Sequence, residues 1–383
     1  METNNQKTDQ NTIPNDADKQ QKGVNVPNLR FKDDDDSYSK TIYESICDIS
    51  TGNKNTQDKI DNGIYPFYVR SNTIERINNY TFDGEAILTA GDGVGVGKVF
   101  HYVKGKIGVH QRVYLLSNFR CCAKYLFYHF SSRFYDRVKI MSAKNSVDSV
   151  RYDMIAKMKI YLPAKTQIQE KVANFFSLLD QRIDTQSKII EQYESLISTI
   201  RTDIFSSFQG KWTKLCDLVE NKSLQLNRGN IIPKHPKDDV YKYPVYSSSV
   251  QKGGLMGYSD YYMFDKELIT WSIDGGGDIF FRGKHKFCVT NVCGILQLDT
   301  NKFSYRFVAE ALKYQHSKMT FDYQTKAHPS VIEKLYALPN IELNEQDKYS
   351  KLFEVLYSKL SNEQKYLEII KEQKKYLLSN MFI

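Results

Sequence analysis

The sequence predicts an α+β protein: two tandem globular α+β domains separated by two long helices that form an antiparallel coiled coil. Three observations predict it. The chain carries an internal repeat of roughly 175 residues, each copy holds short apolar runs broken by Gly, Asn and Asp, and each copy ends in a long helical stripe.

The repeat rests on five matches in the same order. Ile46-Cys47-Asp48-Ile49 answers to Leu215-Cys216-Asp217-Leu218, and Tyr65-Pro66-Phe67-Tyr68 to Tyr243-Pro244-Val245-Tyr246. Glu85-Ala86-Ile87-Leu88-Thr89 with Gly91-Asp92-Gly93 matches Glu267-Leu268-Ile269-Thr270-Trp271 with Ile273-Asp274-Gly275. Val109-His110-Gln111 parallels Val289-Thr290-Asn291, and Leu162-Pro163 parallels Leu338-Pro339. One such match is chance; five in order are a tandem duplication.

Within each copy the apolar runs read as strands, because β-branched and aromatic residues alternate with turn formers. A helical stretch follows, around Lys124–Arg137 in the first copy and Tyr305–Tyr314 in the second. The expected boundaries are a polar tail at 1–25, a globular domain at 26–164, a helix at 165–210, a second domain at 211–340 and a second helix at 341–383. The tail offers almost nothing to bury and is expected to be disordered.

In the first long helix the apolar residues fall at steps of three and four: Val172, Phe175, Leu179, Ile183, Ile190 and Ile197, with Tyr193, Ile200 and Ile204. Shifted by 177 residues, the stripe reappears as Tyr349, Leu352, Leu356, Leu360, Leu367, Ile370, Leu377 and Met381, with Lys374 as its one polar member. This spacing is a coiled-coil seam. Helices of about 38 residues span roughly 57 Å, more than one small domain covers, so the two are expected to pair with each other.

Composition narrows the function. The formal net charge is +8, from 53 Lys and Arg against 45 Asp and Glu, which suits a polyanionic partner without requiring one. The 27 Tyr and 21 Phe suit strand-rich cores and base stacking alike. No apolar run is long enough to span a membrane and no secretory signal opens the chain, so the cytoplasm is the expected compartment. The six cysteines contain no C-x-x-C pair, and in a reducing compartment they read as small buried side chains.

Catalytic motifs are wanting. Gly91-Asp92-Gly93-Val94-Gly95-Val96-Gly97-Lys98 fails as a P-loop, since Asp92 stands where the first Gly belongs and Val99 where Ser or Thr would hold magnesium. It reads better as a glycine turn between strands. There is no Pro-Pro pair for a methyltransferase motif, and the seven histidines lack metal-ligand spacing, so no cofactor and no metal are expected. His110, in a strand, reads as structural.

These residues resemble the specificity subunits of type I restriction–modification systems. Val26-Pro27-Asn28-Leu29-Arg30-Phe31 looks like the family's "VPxLRF" opening. Leu162-Pro163, Gln169-Glu170-Lys171-Val172 and Leu178-Leu179-Asp180-Gln181-Arg182-Ile183 follow the family's helix pattern, with Gln and Glu in swapped order. Leu377-Leu378-Ser379-Asn380-Met381-Phe382 resembles the "LLxxMF" ending. The second copy departs where Tyr357 stands in the place of Asp180. The resemblance covers residues 26–383. It implies two target recognition domains, each reading half of a split double-stranded DNA site, with helices that set the spacing and dock two methyltransferase subunits. Restriction/translocase subunits join these. The chain itself is then not an enzyme. Alternatives from other classes are a coiled-coil scaffold and a nuclease or methyltransferase with built-in recognition domains.

The candidate DNA contacts of the first copy are Arg70, Ser71, Lys98, Gln111, Arg112, Lys144 and Asn145, and of the second Ser248, Ser249, Arg282, Lys284, Asn291, Lys326 and His328. They are basic, amide or hydroxyl groups in polar loops, the types that reach phosphates and base edges. Each alone is more commonly a solvated surface residue; as sets in duplicated loops they exceed chance.

Overall fold

The computed structural model describes residues 26–34, 37–142, 149–208, 210, 212–249, 251–274, 278–319 and 326–382. The polar tail, Lys144 and Asn145 lie outside the described residues.

The first copy runs β1 (Tyr38–Ile42), α1 (Tyr43–Ile46), β2 (Asp48–Thr51), β3 (Tyr65–Tyr68), β4 (Ile74–Ile77), β5 (Phe82–Ala90), β6 (Phe100–Val109), β7 (Val113–Ser117), α2 (Ala123–Met141), α3 (Tyr152–Ala156), β8 (Lys159–Pro163) and α4 (Thr166–Ser207). The second repeats that order. It runs β9 (Trp212–Lys214), α5 (Leu215–Glu220), β10 (Leu224–Arg228), β11 (Tyr243–Tyr246), β12 (Leu255–Ser259), β13 (Phe264–Ser272), β14 (Ile279–Val289), β15 (Cys293–Leu298), α6 (Tyr305–His316), α7 (Pro329–Leu335), β16 (Ala337–Pro339) and α8 (Leu343–Met381).

The sheets repeat as well. Their strand orders are β2-β7-β5-β6-β3-β4 and β10-β15-β13-β14-β11-β12, with a parallel pairing of β3 to β6 and of β11 to β14. A two-stranded ribbon, β1 with β8 or β9 with β16, accompanies each. A matched pair of glycines marks the duplication. A Cβ on Gly52 would stand 2.1 Å from the carbonyl oxygen of Val109, and one on Gly229 stands 2.1 Å from that of Val289. Only glycine lets the backbones approach so closely there.

The chain divides into two compact units. One holds the residues through Asp184 together with Glu368 onward, and the other is Thr185–Leu367. In the first unit α2 buries Leu126, Phe130, Phe134 and Val138 at steps of four, a single helical face, against the sheet and the start of α4. In the second, α6 buries Phe307, Val308, Ala311 and Leu312 in the corresponding core. Cys47, Cys288 and Cys293 are buried and all six cysteines are free thiols.

The long helices run antiparallel within each unit. In the first, Asp180 meets Lys374 and Phe176 stacks on Phe382 at 5.7 Å. In the second, Gln186 Nε2 donates to Glu363 Oε2 at 2.6 Å, and Phe208 lies against Tyr349. Val172, Ile190, Ile197, Leu360 and Ile370 are buried in the seam; Leu179, Ile183, Leu356, Leu367 and Leu377 are half-buried. Two seam assignments need correction. Leu352 is 41% exposed, and its neighbour Phe353, at 0%, takes the inward position. Likewise Phe176 is fully buried, whereas Phe175 packs sideways on Phe31. The 177-residue offset still holds, for Phe176 and Phe353. A heptad template of 3.5 residues per turn drifts against a real helix of 3.6, so adjacent apolar residues exchange roles.

Two features of this helix packing escape the apolar pattern. Gln169 and Gln346, again 177 apart, are buried and serve the same task. Gln169 accepts from the Cys122 N–H and donates to the Pro163 carbonyl, while Gln346 accepts from the Ser304 N–H and donates to the carbonyls of Lys302 and Ile341. Each glutamine oxygen therefore takes the backbone N–H at the start of the neighbouring helix, α2 or α6, while its amide nitrogen holds a carbonyl of the segment that leads into its own helix. Second, an acid and a phenol have changed places between copies. In the first, Tyr128 on α2 donates to Asp180 on α4 at 2.8 Å. In the second, Glu310 on α6 accepts from Tyr357 on α8 at 3.3 Å. The exchange accounts for the Tyr357 that departs from the helix pattern.

Candidate nucleic-acid interface

The topology gathers three loops at one place in each copy. Because β3 pairs parallel with the end of β6, the segment after β3 meets the turn after β6, and the turn after β5 joins them. In the first copy this brings Arg70, Asp92 and Arg112 together. Asp92 Oδ1 accepts from Arg70 Nη1 at 2.9 Å and Oδ2 from Arg112 Nη1 at 2.5 Å. Burial opposes the Asp92 charge, but the two guanidiniums outweigh it and hold the carboxyl below its ordinary value. Both arginines are exposed at their outer edges, so one carboxylate orients two free-facing guanidiniums. A guanidinium fixed in this way suits bidentate contact with guanine or phosphate.

His110 supports the clamp from beneath. Its ring is 4% exposed; Nδ1 accepts from the Arg112 N–H at 3.0 Å, which leaves Nε2–H to donate to Thr56 Oγ1 at 3.2 Å. Burial, followed by the positive charge of Arg70, lowers its pKa. A depressed histidine pKa favours the folded form above the free value of about 6.5, and that contribution is lost as pH falls below it. In an NMR titration of the imidazole nitrogens, His110 should stay neutral with the proton on Nε2 at pH 7 and titrate below the free-histidine midpoint. A midpoint at or above it, or a proton on Nδ1, contradicts the arrangement.

In the second copy Asp274 stands in the same turn as Asp92 and pairs with Lys326 at 2.8 Å. Asn291 is half-buried in the turn after β14, its carbonyl accepting from Arg228 Nε at 3.0 Å. Ser248 is half-buried and Ser249 exposed after β11, and exposed His328 meets Ser330 Oγ. The first copy adds Ser71, which approaches the Thr73 carbonyl, Gln111, anchored by its N–H to Lys54, and Lys98, over the Tyr135 ring; all three are exposed.

The structure leaves two candidates outside these clusters. Arg282 is 7% exposed, its Nε donating to Thr270 Oγ1 and its Nη1 to the Gly253 carbonyl, with the Tyr246 ring at 3.7 Å. Burial brings its pKa down to about 10. It props the Gln251–Gly254 turn from inside, so its expected place on the surface is corrected. Lys284 is exposed in mid-strand on β14, and among the described residues no hydrogen bond, ion pair or ring contact joins it to the loop cluster. The sequence reading missed Asp92 and Asp274 as organisers. Their signal was present: the same Asp in the glycine turn of both copies.

One loop cluster per repeat, on duplicated sheets joined to paired helices, defines a tandem-module protein. A family model described as the type I restriction modification DNA specificity domain matches residues 40–195 and again 211–372. The chain belongs to that family. Relatives from Mycoplasma pneumoniae reach 34% identity over 130 residues, 32% of this chain and 42% of the relative. The MpnII type I restriction enzyme specificity subunit of that organism is 26% identical over 142 residues, 36% of this chain and 42% of its own. The EcoDI specificity subunit of Escherichia coli is 22% identical over 170 residues, 44% of this chain and 37% of its own. The chain thus spans less than half the length of these relatives. Among solved structures, a type I restriction–modification S subunit from M. genitalium superposes with TM-score 0.64 at 17% identity, covering 94% of this chain and 99% of that one. A chain from a study of type I complex assembly and conformational transition gives TM-score 0.56 at 10% identity, covering 90% and 97%. Among the described residues no helix is long and apolar enough to cross a membrane.

Proposed function

We propose that this chain is the non-catalytic specificity subunit of a type I restriction–modification complex, reading a bipartite, asymmetric site in double-stranded DNA. The observation that carries the reading is an acid in the same turn of both copies that holds neighbouring cations: Asp92 with Arg70 and Arg112 from the segments after β3 and β6, and Asp274 with Lys326 from the segment before α7. The two target recognition domains take residues 26–164 and 211–340. Their loop residues differ, Gln111 against Asn291 and Arg112 against Val292, so the half-sites differ. Arg70, Arg112 and Lys326 supply phosphate or guanine contacts, while Gln111, Asn291, Ser249 and His328 supply further polar contacts. The paired helices, 42 and 39 residues long, set the spacer and dock two methyltransferase subunits, which carry the chemistry and take the flipped target base; restriction/translocase subunits complete the complex.

The test is selection of bound duplexes from a random library by the full chain assembled with its modification subunits. A two-part motif with a fixed gap is expected. Arg112→Ala should relax or weaken the first part alone, about tenfold or more in affinity, and lower the salt dependence by about one ion. Lys326→Ala should act on the second part alone. Adding helical turns to α4 and α8 should lengthen the tolerated gap. A single undivided motif, or equal loss at both parts from either substitution, rules the reading out.

A further inference from the structure

We propose that Val94 reads a thymine: held at the tip of the first copy's glycine turn, it meets the 5-methyl group of that base in the major groove. The inference rests on the DNA-reading role above and names the chemistry of one contact within it.

Val94 is 98% exposed. Lone exposed apolar residues are common on protein surfaces, so exposure by itself assigns nothing. What sets Val94 apart is how it is held and what surrounds it. The turn closes on itself, with the Val96 N–H donating to the Gly93 carbonyl at 3.1 Å and the Val99 N–H to the Gly95 carbonyl at 2.9 Å. Val96 and Val99 are sunk in the domain, at 3% and 5% exposure. Gly95 presses so close to the segment after β3 that a Cβ would lie 2.3 Å from the Arg70 carbonyl oxygen. Gly91 is tied on both sides, its N–H to the Arg112 carbonyl at 2.8 Å and its own carbonyl to the Val150 N–H at 2.7 Å. The tip is therefore a fixed projection of the same framework that carries the arginine clamp.

Its surroundings are cationic. Asp92, next to the tip, holds Arg70 and Arg112, and a hollow of about 350 Å³ opens beside it with Thr56, Arg70, Asp92 and Val94 in its walls. Duplex DNA drawn to those guanidiniums brings base edges to Val94. A valine side chain has no hydrogen-bonding group, and the thymine methyl is the largest apolar group on the floor of the major groove. Side chains that wedge between base steps are longer or broader, such as Phe, Leu, Ile or Met, which argues against unstacking by the short Val94.

The experiment uses the full chain with its modification subunits and the duplex that it selects. Each thymine of the first half-site is replaced singly by deoxyuridine, which removes only the methyl. One such replacement should weaken wild-type binding about fourfold, the worth of one buried methyl. Val94→Ala should weaken binding to the thymine duplex by a similar factor and lose the discrimination at that one position, while its circular dichroism stays unchanged. A half-site without thymine, equal binding of every deoxyuridine duplex by wild type, or undiminished discrimination by Val94→Ala would overturn the proposal. Raised fluorescence from a 2-aminopurine placed in the half-site, lost in Val94→Ala, would replace it with unstacking. If the assembly selects no sequence at all, DNA reading itself fails, an outcome distinct from a selected half-site that ignores Val94.

Discussion

Glu310→Ala should destabilise the second unit by about 3–5 kcal/mol, the usual effect of removing one member of a buried ion cluster. Glu310 is fully buried. It accepts from Arg201 Nε at 2.8 Å and from the Tyr357 hydroxyl at 3.3 Å, and Lys313 Nζ stands 3.4 Å away. Burial works against the Arg201 charge, yet Glu310 overcomes it and keeps the guanidinium protonated. Without the carboxylate, two largely buried cations face each other with no counter-charge. The chain's two tryptophans, Trp212 and Trp271, both lie in this unit, so urea unfolding followed by tryptophan fluorescence reports on it directly. An unchanged midpoint would show the cluster to be energetically silent.

The exchanged acid and phenol sharpen that test. Tyr357→Asp alone sets a carboxylate against Glu310 and should destabilise. Adding Glu310→Tyr rebuilds the arrangement of Tyr128 and Asp180, with Arg201 in the part that Lys374 plays beside Asp180. The double variant should therefore be more stable than the sum of the two single losses, with a coupling of about 0.5–3 kcal/mol. Additive losses would mean that each position is held by its own surroundings.

Phe353→Ala should also cost about 3–5 kcal/mol, while Leu352→Ala, one residue earlier, should cost well under that and stay within about 1 kcal/mol. Phe353 is enclosed in the second core and Leu352 is 41% exposed. The same fluorescence measurement decides. Equal effects at the two positions would show that the helix sits in the register that the apolar stripe alone suggests.

The sequence by itself determined the duplication, the α+β class and the two long helices. Each of these is written locally: repeated motifs keep their order, strand runs alternate between turn formers, and a stripe at steps of three and four persists through nearly forty residues of helix free of glycine and proline. The tertiary structure decided what depends on neighbours distant in the chain. Periodicity could not tell Phe175 from Phe176, or Leu352 from Phe353, since adjacent apolar residues satisfy a 3.5-residue template equally well. Polarity placed Arg282 on the surface, yet its guanidinium lies beneath a turn, where Nε meets a hydroxyl, Nη1 a carbonyl and the plane an aromatic face. Arg70, Asp92 and Arg112 become one clamp only because a parallel pairing of β3 and β6 folds their loops together. A side chain's type is fixed by the sequence, but its partner is fixed by the fold, and charge, burial and hydrogen bonding are properties of the pair.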